Sequence, residues 1–134
     1  MDPVKLIADY LVIPTVLVGF GALLMVPKKQ RYQTWGRALL IGLVALLFAK
    51  LISLLYQGDR PFETLGVEPG AAFLPNPGFP SDHALLVFTV ACVVWVATKN
   101  VVLSSLLLAA AILVSVGRVM ALVHTPLDVI AGGV

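Results

Sequence analysis

Charge is what this sequence is shortest of. Only 12% of its 134 residues are Asp, Glu, Lys or Arg, where a water-soluble domain carries roughly 25%. With 60% hydrophobic residues and a mean hydropathy of +1.01, that shortage excludes an ordinary soluble domain. It indicates a membrane protein, a single domain (1–134) by length. Cysteine is almost absent: Cys92 has no mate for a disulfide, and within the apolar residues 84–98 it reads as a small buried hydrophobe. The net charge is only +2, and no basic run is interleaved with aromatics, so nucleic acid is set aside. No cluster of Cys, Asp or Glu has metal-ligand spacing, and no metal or other cofactor is expected. The start, Met1, Asp2, Pro3, lacks the basic region of a signal peptide, and the run after it is long enough to be a retained helix. Internal repeats and low-complexity segments are also missing.

What remains is a set of long apolar runs. They predict an all-α fold, a polytopic transmembrane helix bundle of about four full spans plus the start of a truncated last helix. Residues 4–26 would cross a hydrocarbon core of about 30 Å, with Pro14 as a kink. Pro27, Lys28, Lys29, Gln30 and Arg31 would then form a loop that, with Arg37, is cytoplasmic by the positive-inside rule. Residues 35–56 form a second span, with Trp35 and Tyr56 at its interfacial ends. Residues 57–82 are a long, net acidic loop assigned to the outside, of a length that is usually functional or disordered. Residues 81–98 return, Lys99 and Asn100 make a tight turn, and residues 101–123 cross outward again. A last helix restarts at Thr125 and Pro126 and stops at Val134, too short to span.

This threading brings Lys50, Arg60, Ser81, His83, Arg118 and His124 to one end. Ser81 reads as an N-cap with His83 in the first turn, and a helix N-terminus with cations nearby is a ready anion site. Lys50 lies about 10 Å below its helix end, far for snorkelling, so a local anionic partner is favoured. Arg60 precedes Pro61 in a loop, where an arginine is ordinarily just solvated. Arg118 sits in an apolar span, and a guanidinium there requires a partner, taken here to be a bound phosphate. His124 and Asp128 are four apart, but Pro126 breaks continuity. Thr125 is then the N-cap and Asp128 the N3 residue of a capping box, still close enough to meet His124. Arg118 and His124 would splay by about 120° on an unbroken helix, so a break just before His124 is needed to turn both toward one pocket. Two imidazoles beside three cations suit phosphoryl transfer: one attacks phosphorus, the other protonates the leaving oxygen, and the cations neutralise the transferring group.

Three motifs in order resemble the type 2 phosphatidic acid phosphatase superfamily, the lipid phosphate phosphatases related to vanadium haloperoxidases. They are Lys50 with Arg60-Pro61; Pro80-Ser81-Asp82-His83; and Gly117-Arg118 with His124 and Asp128 at the family's spacing. The resemblance implies His124 as nucleophile through a phosphohistidine, Asp128 orienting it and His83 as general acid. Arg118, Arg60, Ser81 and Lys50 would bind phosphate, without a metal. Ser53 holds the usual lysine position, with Lys50 one turn deeper, about 4.5 Å away. Gly117 replaces a serine. Asp82 in place of glycine, within Phe79 to Ala84, resembles the bacterial undecaprenyl-diphosphatase branch, which implies a cell-membrane enzyme of wall synthesis with an extracytoplasmic site. Alternatives are a phosphatidate or phosphatidylglycerophosphate phosphatase, a non-catalytic lipid-phosphate binder or inactive fragment, and, least compatible with two histidines at helix starts, an ion pathway.

Overall fold

A computed structural model describes residues 2–75 and 78–134. It contains six helices among those residues and no strand: α1 (Pro3–Leu24), α2 (Lys28–Leu55), α3 (Pro61–Leu65), α4 (Asp82–Thr98), α5 (Val101–Met120) and α6 (Pro126–Gly133). The all-helical membrane bundle expected from the apolar runs is what forms. Helices α1, α2 and α5 are long and apolar enough to cross a membrane. Helix α4, apolar but 17 residues long, reaches about 26 Å, a little short of the hydrocarbon core.

Local chemistry sets the helix ends. The Asp2 carboxylate accepts from the Val4 N–H, with Pro3 at the first helical position, where its missing N–H costs nothing. Helix α1 is not uniform. Residues Leu6–Tyr10 form a π-helical turn, closed by Leu11 N–H donating to the Leu6 carbonyl at 3.2 Å. The irregularity expected at Pro14 thus lies one turn earlier. The basic loop expected after α1 is instead helical. Helix α2 begins at Lys28, and Arg31 folds back so that its Nη2 donates to the Leu24 carbonyl at 2.7 Å. By capping α1 from within α2, Arg31 permits a very short turn. At the other tight turn Lys99 takes a left-handed φ of 54°, and the Asn100 side chain caps α5 by accepting from Leu103 N–H.

Packing relies on small residues. Three apolar clusters lie along the bundle: Ala8 of α1 with Phe62, Ala71, Ala121 and Val123 beyond the end of α5; and, where α1, α4 and α5 meet, Val12 with Val87, Ala111 and Val114, and Ala22 with Ala91, Val94 and Leu107. Lipid tails are as apolar as leucine, so close backbone approach, rather than exclusion of water, holds such helices together. Helix α2 is the exception, burying only Ala49. Cys92, expected to be buried, is exposed on α4, because α2 leaves the groove between them open and its walls turn to the membrane.

Two glycines are required by close approach. A Cβ on Gly117 would come within 3.0 Å of the Ala8 nitrogen, and one on Gly132 within 2.6 Å of the Ser81 carbonyl oxygen. The first lets α1 close on α5 and the second lets α6 close on α4. Gly132→Ala is therefore expected to cost about 1–3 kcal/mol and lower the melting temperature in detergent. Gly21→Ala, with open space around it, should leave melting unchanged or slightly raised. Equal behaviour of the two variants would remove the close-approach account.

Candidate active site

The site is built around the break that ends α5. Ala121 caps the helix, and Leu122 follows with a φ of 59°, a left-handed conformation that costs a leucine about 1–2 kcal/mol. The break exposes two carbonyls, and the loop 57–81 uses both. Gly70 N–H donates to Ala121 and Phe62 N–H to Leu122, each at 3.0 Å. Val123 and His124 pass through this strap before Thr125 caps α6. The Thr125 hydroxyl accepts from Asp128 N–H and Asp128 Oδ2 accepts from Thr125 N–H, the capping box expected there. Ser81 caps α4 as expected, fully buried, and its own N–H donates to the Asp128 carbonyl at 3.0 Å. The starts of α4 and α6 are thereby fastened together.

Reversal of the chain at Leu122 brings His124 back over the last turn of α5. Its Nε2 lies 3.4 Å from Arg118 Nη2 and its Nδ1 2.9 Å from the Gly78 carbonyl oxygen. A guanidinium can only donate and a carbonyl can only accept, so these neighbours assign the tautomer: Nδ1 carries the proton and Nε2 presents its lone pair. Asp128 Oδ2 is 3.6 Å from Nδ1, beyond a hydrogen bond but close enough to stabilise an imidazolium. Gly78, not Asp128, is the nearest acceptor, because the capping box already holds Oδ2. Burial pushes the Asp128 carboxyl up, but the His124 ring beside it and the hydrogen bonds from Thr125 outweigh this and hold it below its ordinary value.

Arg118 is 1% exposed. Its partner lies within the protein: Nη1 donates to Asp9 Oδ1 at 2.9 Å and to the Ala72 carbonyl at 2.8 Å. Asp9 Oδ2 also accepts from Ala72 N–H at 3.0 Å. Among the described residues Nε of Arg118 is buried without a partner, so the edge facing away from Asp9 retains unspent donors. Asp9 is the residue that motif reading missed. Its signal was available, as the sole acid in the apolar run 4–26, and an ionisable group inside a span is a functional candidate by default.

Arg60, expected at the site as a phosphate ligand although a loop arginine is ordinarily solvated, is buried. It donates to the Val123 carbonyl at 2.8 Å and to that of Leu74 at 3.1 Å, with its guanidinium 5.3 Å from the centre of the Phe73 ring. Burial pulls its pKa down, while Glu63, Asp128 and Asp82 oppose this. His83, half-buried in the first turn of α4, is close enough to Arg118, His124, Asp9 and Asp82 to feel their charges. Lys50 departs from the group. It is exposed on α2 and makes no side-chain hydrogen bond or ion pair among the described residues, because the helix packs through Ala49 and the next position points about 100° away. No acidic side chain pairs with Lys50 among the described residues. No group of three His, Cys, Asp or Glu side chains suited to a metal gathers among the described residues.

The sequence profile of the PAP2 superfamily matches residues 34–134. The chain belongs to this superfamily. That is the family the three motifs indicated, and its span contains every expected site residue of this PAP2 chain but not Asp9. The bacitracin transport permease protein BcrC of Bacillus licheniformis is 33% identical over 96 residues, which is 71% of this chain and 46% of that relative. The chain thus spans under half the length of the curated relative it matches. No solved structure matches it.

Removing one partner of a buried ion pair strands the other charge. Asp9→Ala should cost about 3–5 kcal/mol, and Asp9→Ala with Arg118→Met should cost clearly less than the two single changes summed, as read by thermal melting in detergent. Strict additivity would show that the pair is not coupled. The carboxyl of Asp128 sets a pH limb. Its folded pKa lies below its unfolded one, so its contribution is complete above about pH 4 and disappears as pH falls through the folded value. The melting temperature should drop in that acid window, and Asp128→Asn should flatten the drop.

Proposed function

We infer that this protein is a membrane lipid phosphatase that removes the terminal phosphate of a polyprenyl diphosphate, converting undecaprenyl diphosphate to undecaprenyl phosphate without a metal. The observation that carries this reading is the state of His124, a buried imidazole whose Nε2 lone pair faces Arg118. In the first step Nε2 attacks the terminal phosphorus, forming a P–N bond as the bridging P–O bond breaks. His83, protonated beside the negative charge of the bound diphosphate, gives that proton to the departing oxygen of the lipid monophosphate and becomes neutral. The His124 ring becomes cationic, and both the Gly78 carbonyl and the Asp128 carboxylate favour that charge. In the second step a water, deprotonated by His83, attacks the phosphohistidine, the P–N bond breaks and inorganic phosphate leaves, which restores the neutral His124 ring and the His83 imidazolium.

Charge on the transferring oxygens would be met by the unspent edge of Arg118, by Arg60 and by the Ser81 hydroxyl, which accepts from Ala84 and still has a proton to donate. Lys50 would reach the site only by its flexible stem. The choice of a polyprenyl diphosphate rests on the Phe79 to Ala84 wording and on the likeness to a protein named for bacitracin transport. An extracytoplasmic site is supported by charge, since Lys28, Lys29, Arg31, Arg37 and Lys99 gather at the opposite end of the bundle without an acid among them.

Purified protein in detergent with EDTA should release phosphate from undecaprenyl diphosphate faster than from phosphatidic acid or phosphatidylglycerophosphate. His124→Ala should lower the rate at least roughly 1,000-fold, and His83→Ala by about 100- to 10,000-fold. Lys50→Gln should cost less than about tenfold. No release from any of the three lipids would end the enzyme reading, and activity surviving in His124→Ala would end the assignment of the nucleophile.

A further inference from the structure

At the end of the bundle opposite His124, a cavity of about 320 Å³ opens between the first turns of α2 and the last turn of α4. Its rim is polar and cationic, with Gln30, Gln33, Thr34, Arg37 and Lys99, and its floor is apolar, with Ile41, Val93 and Ala97. Ile41 also lines a second cavity of about 480 Å³, which continues along the α2–α4 groove through Val44, Phe48 and Cys92. Ile41 thus belongs to both, and the charged pocket adjoins an apolar trough between α2 and α4 whose far end is lined by Ala131, Gly133 and Val134.

The charges at this rim are uncompensated. All seven acids of the chain, Asp2, Asp9, Asp59, Glu63, Glu68, Asp82 and Asp128, belong to segments at the other end. Arg31 is spent on capping α1, whereas Arg37 and Lys99 make no side-chain hydrogen bond or ion pair among the described residues. Lys99 holds a left-handed φ of 54°, a place where glycine is usual, so a cation stands at the rim against its steric preference.

We propose that this pocket and trough bind one anionic phospholipid of the surrounding leaflet, its phosphate between Arg37 and Lys99 and an acyl chain along the α2–α4 groove. Two cations at the headgroup level match a phosphodiester, and the glutamine and threonine amides and hydroxyl match its ester and glycerol oxygens. An acyl chain in the trough would add apolar contact between α4 and α2, which buries only Ala49. A zwitterionic lipid would bring its own ammonium against Arg37 and Lys99 and is disfavoured.

Native mass spectrometry of the full chain in detergent tests this without needing phosphatase activity. Phosphatidylglycerol should be retained at least roughly fivefold more than phosphatidylcholine. Arg37→Gln and Lys99→Gln should each weaken retention roughly fivefold, equivalent to about 1 kcal/mol per cation. Ala97→Leu, which fills the floor and keeps both cations, should also weaken it, and serves if the charge variants fold poorly. Lys28→Gln with Lys29→Gln, outside the pocket, should leave it unchanged. Four results would overturn the proposal: equal retention of the two lipids; unchanged retention in Arg37→Gln/Lys99→Gln; equal loss in Lys28→Gln/Lys29→Gln, the sign of diffuse charge; or sn-glycerol 3-phosphate binding as tightly as the lipid, the sign of a free-anion site.

Discussion

A guanidinium that cannot lose its proton is buried at the end of a membrane helix, and the site end of this bundle is arranged to keep it there. Arg118 draws Asp9 from α1 and the Ala72 carbonyl from the loop 57–81. Each is there for a local reason. The π-helical turn Leu6–Tyr10 sets the register of Asp9 on α1, and Gly117 removes the side chain that would hold α1 away. Burial of an unpaired charge costs several kcal/mol, so these features form one unit and not a set of independent contacts.

A second buried guanidinium does for the loop what the first does for the helix. Arg60 holds the Val123 and Leu74 carbonyls, and Gly70 and Phe62 close on the carbonyls freed by the left-handed Leu122. The reversal of the chain is thus secured from both sides, and His124 emerges with one nitrogen against an acceptor and the other against a donor. The tautomer of the ring is a consequence of backbone positions, which is why the Gly78 carbonyl counts as part of the site. Asp128 has a double task, closing the capping box of α6 while its charge remains beside the imidazole.

Much of this was legible along the chain. The N-caps at Ser81 and Thr125, the tight turn at Lys99 and Asn100, the break before His124 and the family itself follow from residues near one another in sequence, where spacing and side-chain chemistry carry the signal. What was not legible involves distance. The burial of Arg60 has no local sign, because nothing near it in sequence announces Val123. Asp9 as a partner of Arg118 has no local sign either, because it lies more than a hundred positions away. The exposure of Cys92 is hidden for another reason, since a run of apolar residues cannot distinguish a helix packed on all sides from one that faces lipid.

Composition and motif order by themselves determined that this is a helical membrane protein of the PAP2 superfamily, with His83, His124, Arg60 and Arg118 toward one end, because hydropathy and helix-terminal chemistry act over a few residues. The tertiary structure decided which groups those residues touch: that Arg118 answers to Asp9, that Gly78 fixes the proton on His124, and that the opposite end holds a cationic pocket above an apolar trough. Such pairings depend on the register at which helices meet, and that register is set by small residues and close backbone approach, which leave little trace in any one segment.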